Sequence, residues 1–474
     1  MSNRNDKQKS KALIKGVAIY GIGSMGSKIL SFLLVPLYTY YIATEDMGVY
    51  DLLNTTIGLL TPVITMQISD AAFRWMIREP KDKECYVRAT LQVLCINCCI
   101  AGILIWGIGH FFTIPYQTYF IFSLITARFL ATVQKLLRGL RNQHLFAFSG
   151  VLYTLVYLLS NILLICVLHK GVESLFVSTI VADVVSLCVV FMCEKRLRVN
   201  LFRVPEIPLI QDMMRFSAPL VPNQLNWWVI SSSDRYIIRF FLGTVANGIY
   251  AISYKFPTML QIILNLFNSS WQDVSVGDTD GNAGAYYSKV FQKLYQFSFT
   301  LLWPLIPATK LFIIFIMSSA YHDAAKYISF LYLGTVFQSF SSFYGVGYLR
   351  DKNTKQASLT SIYGAITNAA INILLIRFIG LYAASVSTFL GFGAMWLIRE
   401  HQNHEELGII IEIKRFLTYF CITVILSTIA CVTNPFVDLL LFAVGAVAFC
   451  IINYHMIMSI IIQLLKKLKT IRND

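Results

Sequence analysis

Six basic side chains lie inside apolar segments of the chain, where a charged group is costly. They are Lys28, Arg128, Arg235, Arg239, Lys255 and Lys310. A charge at the centre of a bilayer costs at least about 2.5–3.5 kcal/mol, so each base needs a partner or a water-filled cavity. Arginine binds phosphate or carboxylate through a planar fork, and lysine acts as a point charge. The excess of bases over acids in these segments therefore favours an anionic ligand.

The depth of each base within its segment divides the six into two groups. We expect the four deeper bases to line a cationic cavity, with a buried ion pair, for example to Asp183 or Asp234, as the alternative. The four are Lys28, Arg128, Arg235 and Lys255. Lys310 lies in the outer third of its segment, and Arg239 lies near the outer end of its own. Both are expected to extend toward the outer surface along their alkyl stems.

Besides Asp70, three acids lie within or at the margins of the same segments, namely Asp51, Asp183 and Asp234. A carboxylate in such surroundings can bind a coupling ion or pair with a buried base. The sequence leaves both roles open for all three residues.

Apolar segments of about 20 residues recur along the whole chain and must position these charges. Of the 474 residues, 56% are hydrophobic and 14% are charged, whereas soluble proteins are about 25% charged. Each segment is long enough to cross a bilayer as a helix. The sequence therefore predicts an all-α membrane protein with about 14 spans. They are 13–42, 49–69, 87–109, 114–136, 146–168, 173–193, 213–242, 246–269, 289–317, 326–348, 356–377, 379–398, 415–432 and 437–462.

The other basic residues indicate how the chain is oriented. Thirty of the 39 Lys and Arg residues lie at alternate gaps between the segments, and the gaps in between hold only three. Because Lys and Arg concentrate in cytoplasmic loops, both termini are predicted to be cytoplasmic. The net charge of +14 is then accounted for by basic inner loops that face anionic lipid, and nucleic acid is not expected as a partner.

The chain also contains an internal repeat. Residues 41–50 align with residues 241–250, with identical Thr, Gly and Tyr at three equivalent positions. Asn161-Ile-Leu-Leu-Ile165 recurs as Asn372-Ile-Leu-Leu-Ile376. Since each half has six spans, both halves enter the membrane in the same direction. Transporters with parallel repeats of this kind commonly bind their substrate between the halves.

The repeat predicts the domain organisation. We expect an N-terminal lobe at 1–193, a cytoplasmic linker at 194–212 and a C-terminal lobe at 213–398. Two further helices and a basic cytoplasmic tail occupy 399–474.

Two motif-like patterns are better explained by helix packing than by a site. Gly21-Ile-Gly23-Ser-Met-Gly26 matches a dinucleotide pattern, but it lies inside a span and lacks the required strand and helix context. Cys95, Cys98 and Cys99 have metal-like spacing, but no His or carboxylate accompanies them in their span. No metal and no cofactor are therefore predicted. No predicted loop exceeds about 25 residues, which is too short for a catalytic domain, so an enzyme is not expected.

Three stretches near the N-terminus resemble a known family. They are Leu34-Val-Pro-Leu-Tyr-Thr39, Gly48-Val-Tyr-Asp-Leu52 and Asp70-Ala-Ala-Phe-Arg74. They resemble the opening of Wzx-type polysaccharide flippases of the multidrug/oligosaccharidyl-lipid/polysaccharide exporter superfamily. The two six-span lobes, the two additional helices and the cytoplasmic termini extend the resemblance over nearly the whole chain. The family positions matched are Pro36, Gly48, Asp51, Asp70 and Arg74.

The resemblance implies a function in the bacterial cytoplasmic membrane. Members of the family move undecaprenyl-diphosphate-linked oligosaccharides to the outer leaflet for O-antigen, capsule or exopolysaccharide synthesis. They use alternating access through a cationic central cavity, with ion or proton coupling in some members. The four deep bases are this chain's candidates for the cavity. Asp70 and Arg74, one helical turn apart, would form an ion pair at a cytoplasmic gate. Membrane lipid and other polysaccharide assembly proteins are the implied partners.

Three alternatives fit the sequence less well. A multidrug exporter of the same superfamily would favour acids in its cavity, whereas this chain carries more bases. A lipid II flippase would carry a cluster of arginines early in its first span, where this chain has only Lys28. A membrane glycosyltransferase or polymerase would need catalytic acids on a long loop.

Overall fold

The computed structural model describes residues 32–78, 83–276, 284–350 and 353–458. Within these ranges the chain folds into 17 α-helices and contains no β-strand. The first seven are α1 (Val35–Tyr41), α2 (Thr44–Thr65), α3 (Ile68–Arg78), α4 (Lys83–Phe111), α5 (Gln117–Gly139), α6 (Gln143–Ile162) and α7 (Glu173–Cys193). The next four are α8 (Ile207–Ser217), α9 (Leu220–Ser232), α10 (Asp234–Val276) and α11 (Gly284–Ile316). The last six are α12 (Ile328–Tyr344), α13 (Val346–Arg350), α14 (Thr354–Ile379), α15 (Tyr382–Leu407), α16 (Ile413–Val432) and α17 (Pro435–Ile452).

Ten helical stretches in the described residues are long and apolar enough to cross a membrane. The stretch Leu220–Gln272 covers two predicted spans in succession. The helices α12 and α15 correspond to two further predicted spans but are not among the ten. The predicted all-α membrane class is confirmed, and the count of 14 spans and their orientation stay predictions.

Several predicted spans are broken where the backbone cannot continue a helix. The predicted span 213–242 is divided because α8 ends at Ser217, directly before Ala218 and Pro219. Pro219 lacks a backbone donor and disfavours helical geometry in the preceding residue. The predicted span 49–69 ends earlier, because Met66 and Gln67 adopt left-handed φ angles of 46° and 52°. Within α10, Gly243 has a φ of 88°, which an L-residue rarely adopts.

The described residues form two compact units. The first unit comprises 32–251 with 372–380, and the second comprises 252–371 with 381–458. The helices α10 and α14 contribute to both units, because the boundary at 251/252 falls inside α10 and the boundary at 371/372 falls inside α14. These units are groups of residues that contact one another, whereas the predicted lobes are the two copies of the sequence repeat. The boundaries of the lobes therefore stay a prediction.

Each unit has its own core. In the first unit, buried side chains from α3, α4, α5, α7 and α8 form one cluster that includes Ala72, Val87, Leu136 and Met213. The second unit has a core of aromatic rings, in which Phe291, Phe299, Phe337 and Phe340 pack mainly edge to face. Such arrangements align the positive ring edge with the negative ring face.

The segment between α7 and α8 is fastened to the first unit by polar contacts. The amide of Gln92 donates to the carbonyls of Leu201 and Arg203 at 2.9 and 2.8 Å. The buried Arg88 pairs with Glu206. This part of the predicted linker therefore belongs structurally to the first unit.

Glu194 links the turn between α5 and α6 to the end of α7. Its carboxylate accepts from Arg196 Nε at 2.8 Å and from Asn142 Nδ2 at 2.9 Å. Asn142 in turn caps the start of α6. The hydrogen bonds from Arg196, assisted by those from Asn142, lower the pKa of Glu194 to about 2.

We expect Glu194→Gln to lower the free energy of unfolding by about 1.5–3 kcal/mol, the range for hydrogen bonds to charged groups. Because the pKa of Glu194 is depressed in the folded state, the stability that its carboxylate contributes is fully present at pH values above its ordinary pKa of 4.5. That stability is lost as the pH falls toward 2. The difference in melting temperature between wild type and variant should be constant from pH 8 to pH 5 and shrink below pH 4.5. Thermal unfolding in detergent measures it, with Glu405→Gln as an exposed control. A difference unchanged at pH 3 would contradict the prediction.

Candidate functional site

Arg128 on α5 is the most distinctive of the predicted cavity residues. Its guanidinium donates to the hydroxyl of Thr61 on α2. Its Nε is buried and has no hydrogen-bond partner among the described residues. An unsatisfied buried donor costs about 1–3 kcal/mol, more when charged, so this group is positioned to receive an acceptor.

Asp183 on α7 lies near Arg128 but does not neutralise it through a direct contact. The buried carboxylate accepts from Thr126 Oγ1 at 2.9 Å and interacts electrostatically with Arg128. No ion pair joins the two side chains in the part of the chain that the structure describes. Arg128 therefore keeps donor capacity that a paired guanidinium would lack.

Arg235 at the start of α10 forms an ion pair that the sequence did not identify. Its Nε lies 3.4 Å from Asp51 Oδ2 on α2, and both side chains are largely buried. The same guanidinium donates to the carbonyl of Ser231 at 3.0 Å and lies over the ring of Tyr250. A buried ion pair was the alternative to a cavity role, with Asp183 and Asp234 as examples of a partner. The structure shows Asp51 as a partner of Arg235, since α2 packs along α9 and brings Asp51 to the start of α10.

Asp234, next to Arg235, is held by two neutral donors. Tyr250 Oη donates to Asp234 Oδ2 at 2.9 Å, and Asn372 Nδ2 donates to Oδ1 at 3.1 Å. All three residues are buried in the first unit. Sequence reasoning did not assign Tyr250 or Asn372 to a site. Both nevertheless lie in the repeated motifs, since Tyr250 matches Tyr50 and Asn372 matches Asn161.

The remaining two cavity candidates are less defined. Lys255 lies on α10 in the second unit and is half-buried. Lys28 lies outside the described residues. Of the four predicted bases, the structure thus places Arg128 and Arg235 in one compact unit.

Lys310 on α11 does not extend to the outer surface as predicted. It is 8% exposed, and its Nζ lies 3.0 Å from Asp438 Oδ2 on α17. It also donates to the carbonyls of Ala430 and Thr433 at 2.7 and 2.6 Å. The ammonium therefore caps the end of α16, where unpaired carbonyls carry partial negative charge. Arg239, the other base expected to extend outward, is exposed.

The expected ion pair between Asp70 and Arg74 is replaced by contacts with other helices. Asp70 pairs with Lys135 on α5 at 2.5 Å. The guanidinium of Arg74 lies 4.3 Å from the ring centroid of Phe216 on α8. Both residues lie on α3, yet each packs against a different neighbour, so their spacing of four residues does not bring them together.

Comparison with a protein family identifies the chain. A family described as polysaccharide biosynthesis protein matches residues 13–271, more than half of the sequence. The chain belongs to the polysaccharide biosynthesis protein family. A search of curated protein sequences finds no match.

Solved structures show the fold that this polysaccharide biosynthesis protein shares. The lipid II flippase MurJ in an inward closed conformation is 15% identical, with a TM-score of 0.68 over 94% of this chain and 100% of the flippase. A multidrug resistance MATE family transporter of the MOP superfamily, in an inward-facing conformation, is 13% identical. Its TM-score is 0.67 over 84% of this chain and 98% of the transporter. A MATE structure in complex with MaL6 is also 13% identical, with a TM-score of 0.58 over 83% and 96% of the two chains.

The resemblance found in the sequence is confirmed at the level of the family. The chain is a multi-pass membrane protein of the polysaccharide biosynthesis protein family, and it shares its fold with the MurJ and MATE structures.

Proposed function

We propose that this protein flips undecaprenyl-diphosphate-linked oligosaccharide repeat units across the cytoplasmic membrane for surface polysaccharide synthesis. Transport proceeds by alternating access through a cationic cavity. The proposed cavity bases are Lys28, Arg128, Arg235 and Lys255. Other polysaccharide assembly proteins supply the substrate and use the product.

The single observation that carries an anionic substrate is the buried Arg128 Nε without a partner. A diphosphate offers several charged oxygen acceptors, and guanidinium–phosphate hydrogen bonds are among the strongest in proteins. Binding such a group would give the Arg128 Nε a hydrogen-bond acceptor and would also neutralise part of the charge of Arg128. The description of the family, polysaccharide biosynthesis protein, supports a polysaccharide as the product.

The acids supply a means of coupling transport to an ion. Asp51 Oδ2 makes no hydrogen bond among the described residues and lies 3.4 Å from Arg235 Nε. Release of Arg235 toward a diphosphate would leave Asp51 free to take up a cation. Asp183 and Asp234, both buried and hydrogen-bonded by neutral donors, are further candidates for protonation or cation binding.

Deleting the gene tests the proposal. We expect surface polysaccharide to be lost and the lipid-linked repeat unit to accumulate on the cytoplasmic side, while sensitivity to cationic drugs stays unchanged. A plasmid copy should restore the polysaccharide. Normal polysaccharide together with new drug sensitivity would instead support a multidrug exporter of the same fold.

A further inference from the structure

The second half of α10 carries a polar face that the basic residues do not explain. Gln261, Asn265, Ser269 and Gln272 follow one another at spacings of four, four and three residues. Such spacings place side chains on one side of a helix. From the first to the last of these residues the helix rises by about 17 Å. We name the four residues the amide face.

The exposure of the amide face distinguishes it from a lipid-facing surface. Among the residues of α10 beyond Ala251 whose side chains the structure describes, four are exposed, and three of these belong to the amide face. All lie in the stretch Leu220–Gln272, which is apolar enough to cross a membrane. On α17, in the same unit, every exposed side chain is apolar, including Phe436, Val444 and Ile451. Polar groups within spans face a water-filled cavity, so we expect the amide face to meet water and α17 to meet lipid.

Two hydrogen bonds to α12 hold this side of α10 in place. Gln261 Nε2 donates to Gln338 Oε1 at 2.6 Å. Asn268 Nδ2 donates to Ser339 Oγ at 3.1 Å. Each bond uses one atom of an amide side chain on α10, and the buried Oδ1 of Asn268 has no partner among the described residues. The two bonds fix the rotation of α10 against α12, so the amide face is presented by a rigid pair of helices.

Asn265 and Gln272 are available to a ligand. Both are exposed, and neither side chain makes a hydrogen bond within the described ranges. A carboxamide presents a carbonyl acceptor beside two N–H donors. A sugar hydroxyl also donates and accepts, so adjacent hydroxyls of one sugar ring match both halves of a carboxamide. A diphosphate offers mainly acceptors and would use only the N–H groups. The chemistry of the amide face therefore fits neutral sugars better than phosphate.

The internal repeat shows that the fold does not require these amides. With the offset of 200 residues between the two motifs, Gln261 and Asn265 correspond to Thr61 and Thr65 on α2. The two threonine hydroxyls donate to the carbonyls of Ile57 and Thr61 in their own helix, at 2.6 and 2.8 Å. The N-terminal copy thus has short side chains bonded to the backbone where the C-terminal copy has longer amides. This difference indicates a role for the amides other than packing.

We propose that the amide face binds neutral sugar residues of the transported glycan and selects between repeat units. The inference rests on the proposed function, because it assigns the sugar part of the same substrate to a surface without charge. The amide face is long enough to contact more than one sugar ring. The bases would then bind the diphosphate that all such substrates share, and the amides would recognise the part in which repeat units differ.

Binding to purified protein tests the proposal with two probes. One is undecaprenyl diphosphate without a glycan, and the other is the lipid-linked repeat unit extracted from the deletion strain. We expect the double variant Asn265→Leu with Gln272→Leu to bind the repeat unit about tenfold more weakly, as the loss of a few neutral hydrogen bonds implies. Its affinity for undecaprenyl diphosphate should be unchanged. Native mass spectrometry measures both affinities.

The control for this experiment is Gln143→Leu, which removes an exposed amide at the start of α6 and should bind both probes normally. Size-exclusion chromatography must show a single matching peak for every protein. Wild-type affinity of the double variant for the repeat unit would overturn the proposal, and so would an equal loss of affinity for both probes. If the natural protein binds neither probe, the proposed function fails and the sugar assignment fails with it. If it binds both probes equally well, only the sugar assignment fails.

A second measurement needs no substrate and tests whether the amide face meets water. Asn265→Cys, Ser269→Cys and, on α17, Val447→Cys would be made singly in a background whose ten native cysteines are replaced. A water-soluble methanethiosulfonate reacts with the thiolate, which forms readily in water and poorly in apolar surroundings. In lipid nanodiscs we expect positions 265 and 269 to react much faster than position 447. Equal rates at the three positions would show that the amide face is not in water, and the proposal would be wrong.

Discussion

Replacing Arg128 by alanine is expected to lower export of the lipid-linked glycan by about one to two orders of magnitude. The variant would lose hydrogen bonds to a charged group worth about 1.5–3 kcal/mol, and 1.4 kcal/mol corresponds to a factor of ten. Lys28→Ala and Lys255→Ala should have effects of the same kind. Surface polysaccharide, quantified in a deletion strain that expresses each variant, measures the result.

Two comparisons make this experiment specific. Arg128→Lys keeps the positive charge but loses the planar fork, so export should fall between wild type and Arg128→Ala. Lys170→Ala removes an exposed base from a loop and should export normally. Western blots of membrane fractions must show equal amounts of every variant. Normal export by the alanine variants at positions 28, 128 and 255 would falsify the cavity assignment.

Replacing Lys310 by methionine is expected to give the largest loss of stability. Asp438 is 0% exposed, and among the described residues its carboxylate would keep the hydroxyl of Thr433 as its one side-chain donor, at 2.5 Å. Breaking a buried ion pair by removing one partner costs about 3–5 kcal/mol, because the other charge stays buried and uncompensated. The carbonyls of Ala430 and Thr433 would also lose their donor.

The double variant Lys310→Met with Asp438→Leu should recover most of this loss, because replacing a whole buried pair by apolar groups is often neutral. Lys326→Met is the matched control, since the pair of Lys326 with Asp323 is 51% and 58% exposed. Exposed pairs contribute about 0–1 kcal/mol, so little change is expected there. Thermal unfolding in detergent compares the four proteins. Equal destabilisation by Lys310→Met and Lys326→Met would contradict the role assigned to the buried pair.

The sequence alone determined the class of this protein because the class follows from properties that run along the chain. The apolar length of each segment and the alternation of basic loops require no knowledge of the packing. The repeat likewise pointed to residues 44–50 and 244–250 before any contact was known, and the structure places them against each other.

Tertiary structure alone decided which charges meet. Arg235 pairs with Asp51, Asp70 with Lys135 and Lys310 with Asp438, and none of these partners followed from spacing in the sequence. The physical reason is that a helix presents a side chain in every direction around its axis. The partner of a charge is set by the rotation and crossing of helices that are distant in the chain. Lys310 is an example. Its position near the end of an apolar segment favoured extension to the surface, but in the folded protein α16 and α17 bury its ammonium.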